Sequence, residues 1–286
     1  MALKNKFMVK QDVGTADFTL KADEGESFLI KDVLFADSAS EFSELLVDRM
    51  SILALTTKHL RTNQNFFHFG NIDRKGIIQT LIDAGLWKGI PLASGQTLTV
   101  KTNYDSNKQC GIIYEVHDEG DITADMENGT KGKEYLFINY GTNGSAIADA
   151  AYGDIDKPIL PSEYMNFPFG DMVPSGFEVD LLSVLTCNYG RAATKSYGLP
   201  YTKLIRGREV LFDPDRLGTF TGGGQSLFGF NTRDVAHEPP LRLLPEPLTF
   251  KAGEELTIQQ QNDSGAEIAV DLLLLGVILK VRRLEA

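Results

Sequence analysis

The sequence predicts a mainly β protein made of two antiparallel β-sandwiches in tandem, with one or two short helices in the first. Short alternating apolar segments recur along the chain between Gly, Pro, Asn and Asp residues, which is typical of antiparallel strands. A length of 286 residues fits one large domain or two of medium size. A segment of the first half also has a similar counterpart near the end of the sequence, which favours two domains.

Composition and charge narrow the class of protein. Apolar residues make up 42% of the chain and charged residues 23%, as in soluble globular proteins rather than disordered ones. The 28 basic and 39 acidic side chains give a formal charge of −11. Because phosphate binding needs clustered Lys and Arg, we expect no specific nucleic-acid partner. The first ten residues lack the apolar stretch of a secretion signal, and the apolar segment 269–281 is too short for a membrane-spanning helix.

Strands are predicted where apolar residues alternate with polar ones or run continuously. Segment 97–103 follows a turn at 93–96 and alternates cleanly, as a half-buried strand does. Segment 111–116 is also strand-like and is followed by the polar run 117–121. The remaining predicted strands are 17–21, 28–35, 135–139, 177–185, 203–205, 209–212, 256–260 and 266–281.

Two segments have the periodicity of a helix and are predicted as helices. The first begins at Ser38, whose spacing from Glu41 fits a capping box. The second spans 74–87, with Asp73 as a candidate cap. For 50–57 a buried strand is the alternative. Apolar residues recur at intervals of three and four in both segments, at Phe42, Leu45, Leu46, Met50 and Leu53 in the first and at Ile77, Ile78, Leu81, Ile82 and Leu86 in the second.

Three polar or small-residue segments are predicted to connect these elements. Segment 124–133 lacks periodicity and contains turn residues, so we interpret it as a linker between a first domain, 1–123, and a second domain, 134–286. Segments 141–161 and 213–230 are predicted to be long surface connections, which in compact domains often make contacts.

A weak internal duplication links the two halves. Segments 91–100 and 247–258 both lead through a glycine turn into an alternating strand. The front ends 24–30 and 173–179 match at a separation of 149 positions, which requires an insertion of about nine residues between the two matches. Coincidental similarity of two hairpins is the alternative. Four residue pairs share a separation of 158 positions, namely Gly95 and Gly253, Leu98 and Leu256, Thr99 and Thr257, and Asp105 and Asp263.

Two sandwiches of this size suit the eight-stranded jelly roll. Duplicated jelly rolls in one chain resemble the double jelly-roll major capsid proteins of tailless icosahedral viruses, many of which enclose a membrane. The resemblance covers nearly the whole chain, rests on size, duplication and β-content, and carries over no functional residue. It implies a structural coat subunit that forms homotrimers of pseudo-hexagonal outline and higher assemblies. It also implies contacts with other virion proteins and an internal membrane, and a location in the virion after assembly in the host cytoplasm.

No catalytic, cofactor-binding or metal-binding residues are predicted. The histidines lack the HxH spacing of a metal-binding cupin, 213–215 lacks the further ligands of an EF-hand, and 222–226 lacks the lysine of a phosphate-binding loop. The acidic residues of 118–127 are interpreted as a solvated run. Cys110 and Cys187 are predicted to be buried, reduced thiols. The histidines are His59, His68, His117 and His237.

Two alternatives to the coat subunit stay open. One is a single jelly-roll coat, spike or receptor-binding virion protein, in which the repeat is a coincidence. The other is a carbohydrate-active or bicupin-like enzyme, which needs convergent carboxylates or histidines. Lys4, Lys6 and Lys10 are interpreted as part of a solvated tail, and for the coat subunit contact with an anionic inner surface is the alternative.

Overall fold

The predicted mainly β character is confirmed in a computed structural model of the chain, in which the described residues form seventeen strands and one short helix. All strand pairs except one are antiparallel. The structure describes residues 6–14, 17–35, 42–56, 76–102, 108–123, 133–141, 148, 151–154, 157–159, 172–186, 202–212, 246–261, 267 and 274–284.

The described residues of the first half form eight strands in two four-stranded arrangements. Their orders are β1-β8-β3-β6 and β2-β7-β4-β5. The helix α1 (Ile77–Asp83) lies between β5 and β6 in the sequence. The strands are β1 (Lys6–Gly14), β2 (Phe18–Lys21), β3 (Glu26–Phe35), β4 (Phe42–Val47), β5 (Met50–Thr56), β6 (Ile90–Leu92), β7 (Thr97–Thr102) and β8 (Lys108–Asp118).

In the second half, the part that the structure describes contains nine strands. Eight of them have the orders β9-β17-β12-β15 and β10-β16-β13-β14, and β11 pairs with β9. The strands are β9 (Lys133–Gly141), β10 (Tyr152–Asp154), β11 (Lys157–Ile159), β12 (Phe177–Thr186), β13 (Thr202–Arg206), β14 (Glu209–Phe212), β15 (Leu248–Phe250), β16 (Leu256–Gln261) and β17 (Leu274–Arg283).

Among the strands that the structure describes, one pair joins the two halves. β5 lies parallel to β9, with Leu53 opposite Phe137 and Ala54 opposite Ile138. This contact merges the sheet that contains β4 and β7 with the sheet that contains β12 and β17. The buried side chain of Leu182 in β12 also belongs to the same apolar cluster as the core of the first half.

The strand order is the same in both halves once β11 is set aside. Counted from the first strand of each half, one sheet has the order first, eighth, third, sixth and the other second, seventh, fourth, fifth. Even the bulges, in which one strand carries an extra residue, fall at matching places. The extra residues are Lys31 in β3 and Leu182 in β12 against the eighth strands, and Ile52 in β5 and Leu211 in β14 against the fourth strands.

The turns predicted to be similar have the same hydrogen bonds. The backbone N–H of Gly95 donates to the carbonyl of Ala22 across 2.8 Å, and that of Gly253 donates to the carbonyl of Val173 across 2.8 Å. Both glycines have a positive φ, +84° and +83°, a conformation that glycine adopts without the steric cost a Cβ imposes. The prediction of a matched pair of turns 158 positions apart is confirmed.

The predicted alignment of the front ends is wrong by two residues. Gly25 and Gly176 occupy the corresponding turn positions, with φ of +87° and +84°, so the separation is 151 positions rather than 149. In both halves the residue after this glycine, Glu26 or Phe177, donates its N–H to the carbonyl three positions earlier across 3.2 Å. Phe28 and Phe177 are both aromatic residues near the start of a strand, and their similarity favours the incorrect alignment.

The helix predicted from Ser38 is wrong in its described part, where β4 and β5 form a hairpin. Residues 44–47 are all buried, so apolar and polar residues do not alternate along β4. The apolar residues are instead spaced as in an amphipathic helix. The turn at Asp48, with a φ of +54°, lacks the glycine that normally marks such a hairpin. The alternative of a buried strand over 50–57 is confirmed as a strand for 50–56. The proposed cap at Ser38 lies outside the described residues.

The helix predicted over 74–87 is confirmed as α1, although it is shorter. Asp73 lies outside the described residues, and the helix begins after Gly76 without a side-chain cap from that residue. Every predicted strand overlaps an observed one, with 266–281 reduced to β17 in its described part. Five strands were not predicted, besides β4, namely β1, β6, β10, β11 and β15.

Two predictions about connections need correction. Residues 6–14 form β1 and pair with β8 along their whole length, so this segment, which includes Lys6 and Lys10, is not a solvated tail. The predicted long connection 141–161 contains β10 and β11. Segments 124–132 and 213–230 lie outside the described residues, and the domain boundary there stays a prediction.

The core of the first half lies between its two sheets. Strands from both sheets contribute fully buried side chains to one cluster, and α1 adds Ile78 and Leu81. The rings of Phe28 and Tyr114 pack at a tilt, with centroids 5.0 Å apart. Burial of this apolar surface is the main force that holds the sheets together.

Candidate assembly surfaces and buried polar sites

Two strand edges stand out as candidate surfaces for contact with another chain. In the described part of the chain, β1 pairs only with β8 and β14 pairs only with β13. β1 has nine residues, whereas natural proteins usually keep an exposed edge strand short or cover it. The counterpart of β1 in the second half, β9, pairs with β17 on one side and with β5 and β11 on the other.

The turns at one end of each sandwich have different surface chemistry. In the first half, Lys21 and Glu119 are exposed at this end. The corresponding residues of the second half are Met172 and Leu284, whose exposed fractions are 54% and 50%. The correspondence follows from the pairing, because Glu119 and Leu284 donate their N–H groups to the carbonyls of the equivalent turn glycines. At these two positions the first half therefore carries charged residues and the second half apolar ones.

A buried carboxylate connects β3 to α1. One oxygen of Asp32, Oδ2, accepts from the N–H of Gly76 across 2.6 Å, and the other, Oδ1, accepts from Val33 across 3.0 Å and from Gln79 across 3.5 Å. Asp32 is 2% exposed. Burial raises the pKa of Asp32 to about 7, with a smaller contribution in the same direction from Asp83, although the backbone N–H groups oppose the shift. This side chain acts as a helix cap supplied from a distant strand.

The second half contains a polar network centred on Asp180 of β12. The Oδ1 atom of Asp180 accepts from Thr249 Oγ1 and from Arg282 Nη2, both across 2.7 Å. Arg282 also forms an ion pair with Glu178. Asp180 is 8% exposed, whereas the side chain of Arg282 is 34% exposed. The network links three neighbouring strands, β15, β12 and β17.

His117 is the histidine whose position the structure describes. Its Nε2 lies 3.2 Å from Oε2 of Glu115, whose other oxygen lies 3.7 Å from Nζ of Lys31. The group combines one acid, one base and one imidazole, and among the described residues no group of three His, Cys, Asp or Glu side chains has the proximity needed to hold a metal ion. We interpret the group as a structural polar contact between β8 and β3.

Most of the polar features singled out in the sequence fall outside the described residues, namely His59, His68, His237, Cys187, 213–215 and 222–226. Cys110 lies in β8, opposite Asp12 of β1. The acidic run 118–127 begins at the end of β8 and turns at Asp121, whose N–H donates to the carbonyl of Asp118 across 3.1 Å.

Sequence reasoning missed Asp32, and the available signal was an acid within the otherwise apolar segment 28–35.

Comparison with known proteins adds no relative, because no protein-family model matches the chain and no curated protein matches it significantly. Among the described residues, no helix is long and apolar enough to cross a membrane.

Proposed function

We propose that each half of the chain is a jelly roll and that the protein is a double jelly-roll coat subunit of an icosahedral virus. The observation that carries the proposal is the strand order that the halves share. A jelly roll consists of eight antiparallel strands in two facing sheets. The shared order of eight strands in the described part of each half, with β11 set aside, supports this assignment. The domains are then 1–123 and 134–286, joined by the linker 124–133.

The matching bulges and turns support descent of both halves from one duplicated unit. Two unrelated sandwiches can share a strand order, but they have no reason to share the position of an extra residue in two strand pairs. Here the extra residues match in the third strands, at Lys31 and Leu182, and in the fifth strands, at Ile52 and Leu211. This agreement favours the tandem arrangement over a single jelly roll with a coincidental repeat.

Two similar bodies in one chain suit a role in a shell. Three such chains supply six similar bodies, which can surround a threefold axis with a nearly hexagonal outline. The formal charge of −11 is compatible with this role, because a coat around a lipid layer or a separately packaged genome does not itself need to bind phosphate. In this proposal the protein is structural rather than enzymatic, and its partners are its own copies, other virion proteins and an internal membrane.

Sedimentation velocity of the purified protein tests this proposal. We expect a trimer or a larger species at micromolar concentration, and electron microscopy of the same material should display particles with threefold symmetry. A protein that stays monomeric at high micromolar concentration contradicts the proposed coat role.

A further inference from the structure

We propose that neighbouring copies of this chain join by parallel pairing of β14 of one copy with β1 of the next. The proposal rests on the proposed function, since it names the contact between copies in the trimer. It treats the contact between the two halves of one chain as the template for the contact between chains.

The template is the pairing of β5 with β9. These strands are the fifth strand of the first half and the first strand of the second half. They run parallel, with Leu53 opposite Phe137. The contact uses backbone hydrogen bonds along strand edges, so it depends little on the identity of the side chains.

The residues equivalent to this pair follow from the strand registers. Leu53 is opposite Leu45 after the bulge in the β4–β5 hairpin, and Phe212 is opposite Leu204 after the matching bulge in the β13–β14 hairpin. Phe212 is therefore the equivalent of Leu53.

The equivalent of Phe137 is found in the same way. Phe137 pairs with Ile278 of β17, and Ile278 lies opposite Ser183, the residue that follows the bulge in β12. In the first half, Asp32 follows the bulge in β3 and lies opposite Ile113 of β8. Ile113 in turn pairs with Val9 of β1. The equivalent contact between chains thus places Phe212 of one copy opposite Val9 of the next.

Both of these edges are free of strand partners in the described part of the chain. Their counterparts β5 and β9 are covered by each other. An exposed strand edge is a ready template for pairing with another chain, and the addition of a strand to such an edge is a common mode of protein recognition. A second copy of this chain is the partner that already carries the matching edge.

The placement of the edges allows the contact to repeat. In each half, the first and fifth strands lie at the ends of different four-stranded sheets. In the first half, β2 and β5 lie at opposite ends of one sheet, and only a short connection separates β1 from β2. β1 and β5 therefore lie on opposite sides of the first sandwich, and by equivalence β9 and β14 lie on opposite sides of the second. A head-to-tail contact of this type closes into a ring when its rotation divides a full turn, and six sandwiches give three chains.

Disulfide trapping tests the contact in the intact protein. Adjacent strands are about 4.8 Å apart, which is compatible with the Cα separation of a disulfide. We expect the double variant Val9→Cys/Phe212→Cys to form covalent dimers and trimers, and nothing larger, on oxidation. Each single variant controls for bonds to Cys110 and Cys187. The matched control Thr19→Cys/Phe212→Cys moves one cysteine to β2, an edge strand that takes no part in the proposed contact, and is expected to give no covalent oligomers.

The outcomes separate this inference from the proposed function. A trimer in sedimentation that does not crosslink through Val9 and Phe212, or that crosslinks equally through Thr19, overturns the edge pairing and leaves the coat role standing. A covalent ladder beyond three chains overturns the closed ring. A monomer removes the coat role and this contact with it.

A second measurement covers the case in which the cysteine variants do not fold. In hydrogen–deuterium exchange of the unmodified trimer, the edge of β1 around 9–11 and the edge of β14 are expected to exchange slowly. Fast exchange on the outer edges of both β1 and β14 in the trimer overturns the proposed pairing.

Discussion

The carboxylate of Asp32 accepts a hydrogen bond from the backbone N–H of Gly76 across 2.6 Å, and this contact fixes the start of α1 against β3. The first turn of a helix has N–H groups without acceptors inside the helix. Here Asp32, 44 positions earlier in the sequence, supplies an acceptor for one of them. The approach is close because Gly76 has no side chain, since a Cβ at this position would overlap the carboxylate.

The first prediction concerns the pH dependence of stability. Burial raises the pKa of Asp32 in the folded protein to about 7 from its ordinary value of 3.8, so between these values the folded state holds a proton that the unfolded state has released. The stabilisation is fully present below the unfolded pKa and is lost as the pH rises toward about 7. The Asp32→Asn substitution removes this pH dependence. As the pH rises from 3.8 to about 7, the unfolding free energy of the wild type is therefore expected to fall relative to that of the variant by at most roughly 4 kcal/mol.

Urea denaturation of both proteins between pH 4 and pH 8 measures this difference. The comparison of slopes matters more than the absolute values, because the amide side chain of the Asp32→Asn variant also turns an NH₂ group toward backbone donors. Parallel pH profiles for the two proteins would mean that Asp32 is ionised throughout and that the account of its burial is wrong.

The second prediction concerns Gly76. Gly76→Ala forces a methyl group toward the buried carboxylate of Asp32, and we expect a loss of about 1–3 kcal/mol in unfolding free energy, as for other overpacked sites. In an Asp32→Ala background the same substitution should cost less, because the opposing atoms are gone. A double-mutant cycle by chemical denaturation measures the coupling, and purely additive effects argue against the contact.

The third prediction tests the equivalence of the two halves. Gly95 and Gly253 both have a positive φ, and a Cβ at either position would meet nothing within 4 Å. Alanine is therefore expected to cost only the backbone strain, about 1–2 kcal/mol in each case, and asparagine less than alanine. Chemical denaturation of the four variants measures this cost. A large loss at one glycine and none at the other is inconsistent with equivalent turns.

The fourth prediction contrasts a shielded ion pair with an exposed one. Asp180→Asn weakens the buried bonds to Thr249 and Arg282, and we expect a loss of about 1–3 kcal/mol in unfolding free energy. Glu209→Gln removes the partner of Arg206 in a pair whose acid side chain is 63% exposed, and should cost less than about 1 kcal/mol. Equal losses in the two variants, measured by denaturation under the same conditions, would contradict the assigned difference in burial.

Alternation and turn residues were enough to predict the strands with one buried face. β7 and β16 follow glycine turns and were located nearly to the residue, at 97–103 and 256–260. β4 was missed because consecutive residues 44–47 are all buried, and a strand buried on both faces loses the period of two that identifies it. The short strands β6 and β15 carry too few residues for any period to be visible.

The contacts that matter most for the proposals depend on residues far apart in the sequence. Asp32 caps α1 only because β3 passes beside it, and nothing local to either segment indicates the pairing. The free edge of β1 likewise follows from the order of the strands rather than from the residues of β1. Sequence similarity around Gly95 and Gly253 did predict the matched turns, because turns that need a positive φ keep glycine when most of the surrounding residues differ.

The most direct test of the central claim, that the chain is a tandem jelly-roll coat subunit, is electron cryomicroscopy of the purified oligomer. We predict a particle of three times the 31.5 kDa chain mass, with six similar sandwiches around a threefold axis and the same strand order in both sandwiches of each chain. A map with one sandwich per chain, or with different strand orders in the two halves, would contradict the claim.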